Sequence, residues 1–159
     1  MFDSYSIRAK QVLFLTRLES GARGAEMLDI DDLLAGLIIE DQNAIPSALA
    51  RLGMTGDFMG LPEHHPFLPT DTATSVLESI HQSPPRSQPV PNSTDMPISS
   101  GLREILAAAS DLRQKLQSKE VTPLHLLAVT MRGSHSGVQA LRNAGITEEE
   151  ALKAIEDQG

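Results

Sequence analysis

The sequence predicts an all-α fold made of two tandem copies of one four-helix unit, packed face to face. Three observations carry this. Apolar residues recur three and four apart through most of the 159 positions, the beat of one-sided helices. "LDIDDLLAGLI" (Leu28 to Ile38) and "VTPLHLLAVTM" (Val121 to Met131) hold Leu-Leu-Ala in the same place, 93 residues apart. With one residue removed from the following loop, "ALARLGMT" aligns with "ALRNAGIT", four identities in eight. A unit that cannot bury its apolar face alone gains a core by stacking on its copy.

The elements follow in order. From Ser6, the spacing of Ile7, Ala9, Val12, Leu13, Thr16 and Leu18 predicts a first helix with those residues inward, ended by Gly21 or Gly24. Asp29 or Asp31 caps a second helix, whose buried face is Leu33, Leu34, Leu37 and Ile38. Asn43 precedes a third helix with Pro46 near its start, where a missing N–H costs little, and Gly53 is its left-handed stop. After a loop with Gly, Pro and two His, residues Thr70 to His81 form a fourth helix with Val76, Leu77 and Ile80 inward.

Composition then changes. "SPPRSQPVPNSTDMP", 83–97, holds five prolines and reads as a semi-stiff extended linker. Beyond it the order restarts. Ser99 or Ser100 caps a helix with Leu102, Ile105, Leu106, Ala109 and Leu112 inward, and Thr122-Pro123 opens the next, over Leu124, Leu126, Leu127 and Met131. A loop containing Gly133 and Gly137 leads to "VQALRNAGIT", and Thr147 with Glu150 forms a capping box for the last helix, through Leu152 and Ile155. The expected organisation is one domain over 1–159: a first repeat of about 2–82, the linker, and a second repeat of about 98–157.

Charge narrows the function. Twenty-one acidic against thirteen basic side chains leave a net charge of −8, which repels a phosphate backbone, and tryptophan is absent. Nucleic acid is therefore not an expected partner. No apolar run reaches the ~20 residues that span a bilayer, nothing resembles a signal peptide, and there is no cysteine. A cytoplasmic, monomeric protein without membrane contact is expected.

The catalytic motifs are missing. There is no Gly-x-Ser-x-Gly elbow and no plausible Ser-His-Asp order, so the chain reads as a non-enzyme without a cofactor. His64-His65, with Glu63, Asp71 and His81, invites a metal reading. Adjacent histidines point apart, however, and no His-x-x-x-His pair supports them, so no metal site is expected and the segment reads as a solvated loop. Asp29, Asp31 and Asp32 serve most simply as an N-cap and first-turn acids. His125 reads as a structural residue bonding nearby backbone, and "TEEEALKAIEDQ" as a solvated helix face.

Taken in order, these motifs resemble the amino-terminal domain of Clp ATPases, the Clp repeat domain. "MFDSYSIRAKQVLFLTRLE" looks like that family's opening, "LDIDDLLAGLI" stands where Gly-Thr-Glu-His-Leu-Leu-Leu-Gly-Leu would, and "ALARLG" matches the third helix. "PISSGLREILAAASDLRQKL", "VTPLHLLAVTM" and "ALRNAG" follow in the same order, so the likeness spans Phe2 to about Ile155. It implies a pseudo-twofold pair of four-helix repeats that recognises client proteins, adaptors or a Clp ATPase in regulated proteolysis or chaperone action.

The family's Glu-His pair is replaced by Asp31-Asp32 in the first repeat and Leu124-His125 in the second. In ClpC-type members the corresponding Glu, with a Thr that here is Ser6 or Ser99, helps hold phosphorylated arginine on clients. A carboxylate can pair with a guanidinium, so Asp31 keeps part of that chemistry and Leu124 keeps none. The resemblance thus marks Ser6, Asp31, Asp32, Ser99 and His125 as candidate partner-binding positions. No Gly-x-x-x-x-Gly-Lys-Ser/Thr phosphate loop occurs. An alternative function is a decoy or immunity protein that sequesters ligands aimed at a true Clp amino-terminal domain.

Overall fold

A computed structural model describes residues 4–54, 63–82, 88–91 and 95–158. Eight helices are present among them: α1 (Ile7–Ala22), α2 (Ile30–Asp41), α3 (Ile45–Arg51), α4 (Thr70–His81), α5 (Ser100–Lys115), α6 (Pro123–Thr130), α7 (Ser136–Asn143) and α8 (Glu148–Gln158). The expected all-α class holds. The opening Phe2 and residues 83–87 and 92–94 of the linker lie outside the described residues.

The starts of α1 and α5, and of α2 and α6, keep the 93-residue spacing. Ser6 and Ser99 cap α1 and α5, each accepting a backbone N–H, from Ala9 and Leu102. Asp29 caps α2, and Thr122 caps α6 with Pro123 in the first turn. The ends of α1 and α5 keep it too: Ala25 N–H reaches Ser20 O after α1, and Ser118 N–H reaches Arg113 O after α5. Gly24 (φ 67°) and Gln117 (φ 55°) occupy the left-handed position in these two turns. Gly53 (φ 76°) and Gly145 (φ 94°) stop α3 and α7 in the same way.

Packing follows a matching plan. α1 lies along α2, and α5 along α6; α4 backs α2, and α8 backs α6; α2 and α6 touch each other across the middle. The two central helices are therefore enclosed from several sides. Residues 32–40 of α2 are all buried, and so is α6 apart from the half-exposed Leu124. One apolar core runs from Tyr5 through Leu33, Ile38, Leu102 and Leu126 to Ile155, drawing on both halves. At Gly36 a Cβ would meet Val12 O at 2.7 Å, so α1 and α2 approach backbone to backbone.

Three expectations need correction. Ile7, read as inward, is the first residue of α1 and is 65% exposed. Gly137, read as loop, lies within α7, where its missing Cβ makes room for Leu34 Cδ1. The segment around His64 is not a solvated loop. Asn43 exchanges two hydrogen bonds with the His64 backbone (2.9 and 3.1 Å), and the Asp41 carboxylate accepts the N–H groups of Phe67 and Leu68. The His64 ring stands 3.1 Å from buried Glu40, which also takes a two-pronged ion pair from Arg8 at 2.7 and 2.9 Å. His65 remains exposed.

The proline-rich stretch is also tied down where it is described. Val90 N–H donates to Gly21 O at 2.8 Å, and the Arg17 guanidinium donates to Pro91 O at 2.7 Å. The spacer expected from composition is held against the end of α1.

Candidate partner-binding site

Two short backbone bridges bring the helix starts together. Tyr5 pairs with Val121, through Ser6 N–H to Val121 O (2.9 Å) and Val121 N–H to Ser4 O (2.8 Å). Leu28 pairs with Ile98, through Ser99 N–H to Leu28 O and Leu28 N–H to Pro97 O, both 2.8 Å. Adding 93 to Ser4, Ser6 and Leu28 gives Pro97, Ser99 and Val121, so each bridge is the image of the other. The start of α1 thus sits beside the start of α6, and the start of α2 beside that of α5. Each junction gathers two helix N-termini, with their positive dipole ends.

At the α2–α5 junction, the Ser99 hydroxyl donates to Asp29 Oδ1 at 3.0 Å, tying the two N-caps together. Asp32 returns to accept the Asp29 N–H at 3.0 Å and pairs with Arg23 at 3.0 Å, with only 2% of the residue exposed. Burial raises the Asp32 carboxyl to about 6, against the opposing pull of the Asp29 N–H and Arg23. Asp31 is different. Its side chain is 37% exposed and lies 3.2 Å from the ring of His135, which precedes α7.

At the α1–α6 junction, His125 stands where Asp32 stands in the first half and plays the same part. Its Nδ1 accepts the Thr122 N–H at 3.1 Å, completing a capping box. An Nδ1 that accepts cannot carry the proton, so Nε2 does and donates to Ser118 Oγ at 3.0 Å. Burial, and then the charge of Arg113, lower the His125 pKa and keep the ring neutral. A serine that receives a proton from the imidazole is not being activated by it, so the Ser118–His125 pair is a structural bond rather than a nucleophile with its base.

The five positions marked from sequence therefore separate. Ser6 and Asp31 are partly exposed, on opposite junctions; Ser99 is 8% exposed; Asp32 and His125 are buried and spent on caps. Asp32 and His125 hold the junctions in shape, and their burial withdraws them from direct contact with a partner. Asp29 and His135 were missed. An N-cap that bonds across to another N-cap, and a histidine delivered by the packing of α7 on α4, leave no mark in local sequence. Among the described residues no group of three His, Asp or Glu is placed to hold a metal ion, and no helix is long and apolar enough to cross a membrane.

No protein-family profile matches the sequence, and no curated protein matches it. Solved structures do. A chain from structural work on a malarial protein secretion system superposes with a TM-score of 0.71 at 16% identity, covering 98% of this chain and 94% of that one. The N-terminal domain of the caseinolytic-protease-associated chaperone ClpD from Arabidopsis thaliana superposes with a TM-score of 0.63 at 20% identity, covering 99% and 96%. Eight helices in this order, matched over nearly their full length, give the chain the fold of a Clp amino-terminal domain.

Proposed function

We propose that the chain is a protein-binding module that acts as Clp amino-terminal domains do, engaging client polypeptides, an adaptor or a Clp ATPase during regulated proteolysis or chaperone action in the cytoplasm. The observation that carries this reading is the pair of helix-start junctions, each built from both halves of the chain. Ser6 and the first turn of α6 form one docking point. Asp31, Ser99 and the first turn of α5 form the other, with Asp32 and His125 as the supports beneath. Asp31 is the carboxylate that can take a cationic side chain of the partner, since its side chain is 37% exposed and meets the ring of His135 at the surface. The bulk charge of −8 favours basic segments over nucleic acid.

The test is capture from cytosol of the source cell on the immobilised chain, with Asp31→Asn as the paired control. Clp components or their substrates should be enriched on the wild-type chain, and enriched several-fold less on the variant, whose melting temperature should be unchanged. Capture of neither, at low and moderate salt, overturns the reading.

A further inference from the structure

The two halves differ at one pair of equivalent clefts. In the first half, Arg8, in the first turn of α1, reaches Glu40 in the last turn of α2, and the cleft beside them measures about 130 Å³. The position equivalent to Arg8 is Gly101, and the position equivalent to Glu40 is Gly133, since both lie 93 residues further on. α6 also stops at Thr130, so it lacks the last turn that carries Glu40 in α2. With glycine at both positions, the second half has a cleft of about 280 Å³ lined by Gly101 and Gly133. Its apolar walls are Ile30, Ile105, Ala108, Val129 and Val138, with Thr130 and His135 beside them. An apolar cavity of ~150 Å³ is enough to take up benzene, so this one admits a branched aliphatic side chain.

Charge at the mouth selects what carries that side chain. Glu104 lines the cleft and is exposed, and Asp31 sits against the lining residue His135. The lining cation, Arg132, is already bound by Glu148 at 2.6 Å. The absence of a carboxylate at position 133 means that a guanidinium inserted here would find no partner like Glu40, which disfavours a charged anchor. We infer that the α5–α6 cleft seats one leucine- or isoleucine-sized side chain of a partner peptide, flanked by lysine or arginine that meets Glu104 and Asp31. This rests on the proposed reading of the chain as a protein-binding module and specifies what the partner presents.

The experiment uses the full chain and fluorescein-labelled peptides: Gly-Ser-Lys-Leu-Lys-Ser-Gly, the same peptide with Leu replaced by Ser, and the same with both Lys replaced by Glu. Anisotropy should show binding of the first, with at least tenfold weaker binding of each of the others. Gly101→Leu fills the cleft from within; its Cβ meets the Ile30 side chain, Cδ1 at 3.3 Å and Cγ1 at 3.9 Å, and the end of that side chain can give, so the fold should persist. It should weaken the Lys-Leu-Lys peptide at least tenfold at an unchanged melting temperature. Glu104→Lys, at an exposed position, should shift preference toward the Glu-flanked peptide whether or not Gly101→Leu folds well.

Equal binding of the Leu and Ser peptides, or full binding to a folded Gly101→Leu chain, overturns the inference. So does a wild-type dimer that Gly101→Leu disperses, because the occupant is then a second copy. Capture of Clp components that is unaffected by Gly101→Leu would sink the cleft and spare the proposed function. Peptide binding without any Clp partner would do the reverse.

Discussion

Asp32 makes an unusual contribution to stability, and its pH dependence can be worked out from its surroundings. Its carboxyl titrates at about 6 in the folded chain, against 3.8 in the absence of structure. Folding therefore strengthens proton binding at this site. The ionised carboxylate costs stability at pH 7, the cost is relieved as pH falls through 6, and relief is complete below about 3.8. The full effect is on the order of 3 kcal/mol, and about 1.3 kcal/mol of it falls between pH 7 and pH 5. Asp32→Asn keeps an oxygen for the Asp29 N–H and removes the titration. Urea unfolding of both chains at pH 7.5, 6.5, 5.5 and 5 isolates the site, because the histidines titrate in both and cancel in the difference. The wild-type chain should gain about 1.3 kcal/mol on the variant across that range. Parallel stability curves would show that burial does not penalise this carboxylate and would refute the reasoning.

Three other outcomes are expected. Glu19 is pushed up by burial, but the His81 hydrogen bond and the charges of His81 and Arg51 outweigh this and leave its pKa lowered. Its stabilisation is present above its ordinary value of 4.5 and is lost as pH falls below it, so Glu19→Gln should cost about 2 kcal/mol at pH 7 in urea unfolding and progressively less toward pH 3. Gln117 takes the left-handed backbone that Gly24 takes in the first half, so Gln117→Gly should stabilise by about 1 kcal/mol and Gly24→Gln should destabilise by a similar amount, both read as urea midpoints. Leu33 and Leu126 are equivalent and fully buried, so Leu33→Ala and Leu126→Ala should each cost about 3 kcal/mol in calorimetry and differ from one another by less than about 1 kcal/mol.

Much of the fold was legible because its signals are local. The cap at Thr122, and the choices of Asp29 or Asp31 and of Ser99 or Ser100, depend on residues within one turn of the helix start, and the α4 boundaries follow from apolar spacing alone. The core positions of α2 and α6 were visible for the same reason, being apolar nearly all round. The candidate site was only half legible. Residue type and resemblance pointed to Ser6, Asp31, Asp32, Ser99 and His125 without separating exposed from buried positions. The local mark that does separate the two acids, Asp32 standing three residues after the Asp29 cap where it completes a capping box, was not used.

The sequence by itself determined the helical class, the order of the elements, the repeated register and most of the caps, since each is a matter of spacing within a few residues. The tertiary structure decided the rest. It joined the α2 and α5 caps through Ser99 and Asp29, brought His135 to Asp31, strapped residues 64–68 to the end of α2, and left a cleft beside Gly101 where Arg8 fills its counterpart. These contacts join residues dozens of positions apart. Their geometry comes from how whole helices pack, and no pattern within a single turn encodes that.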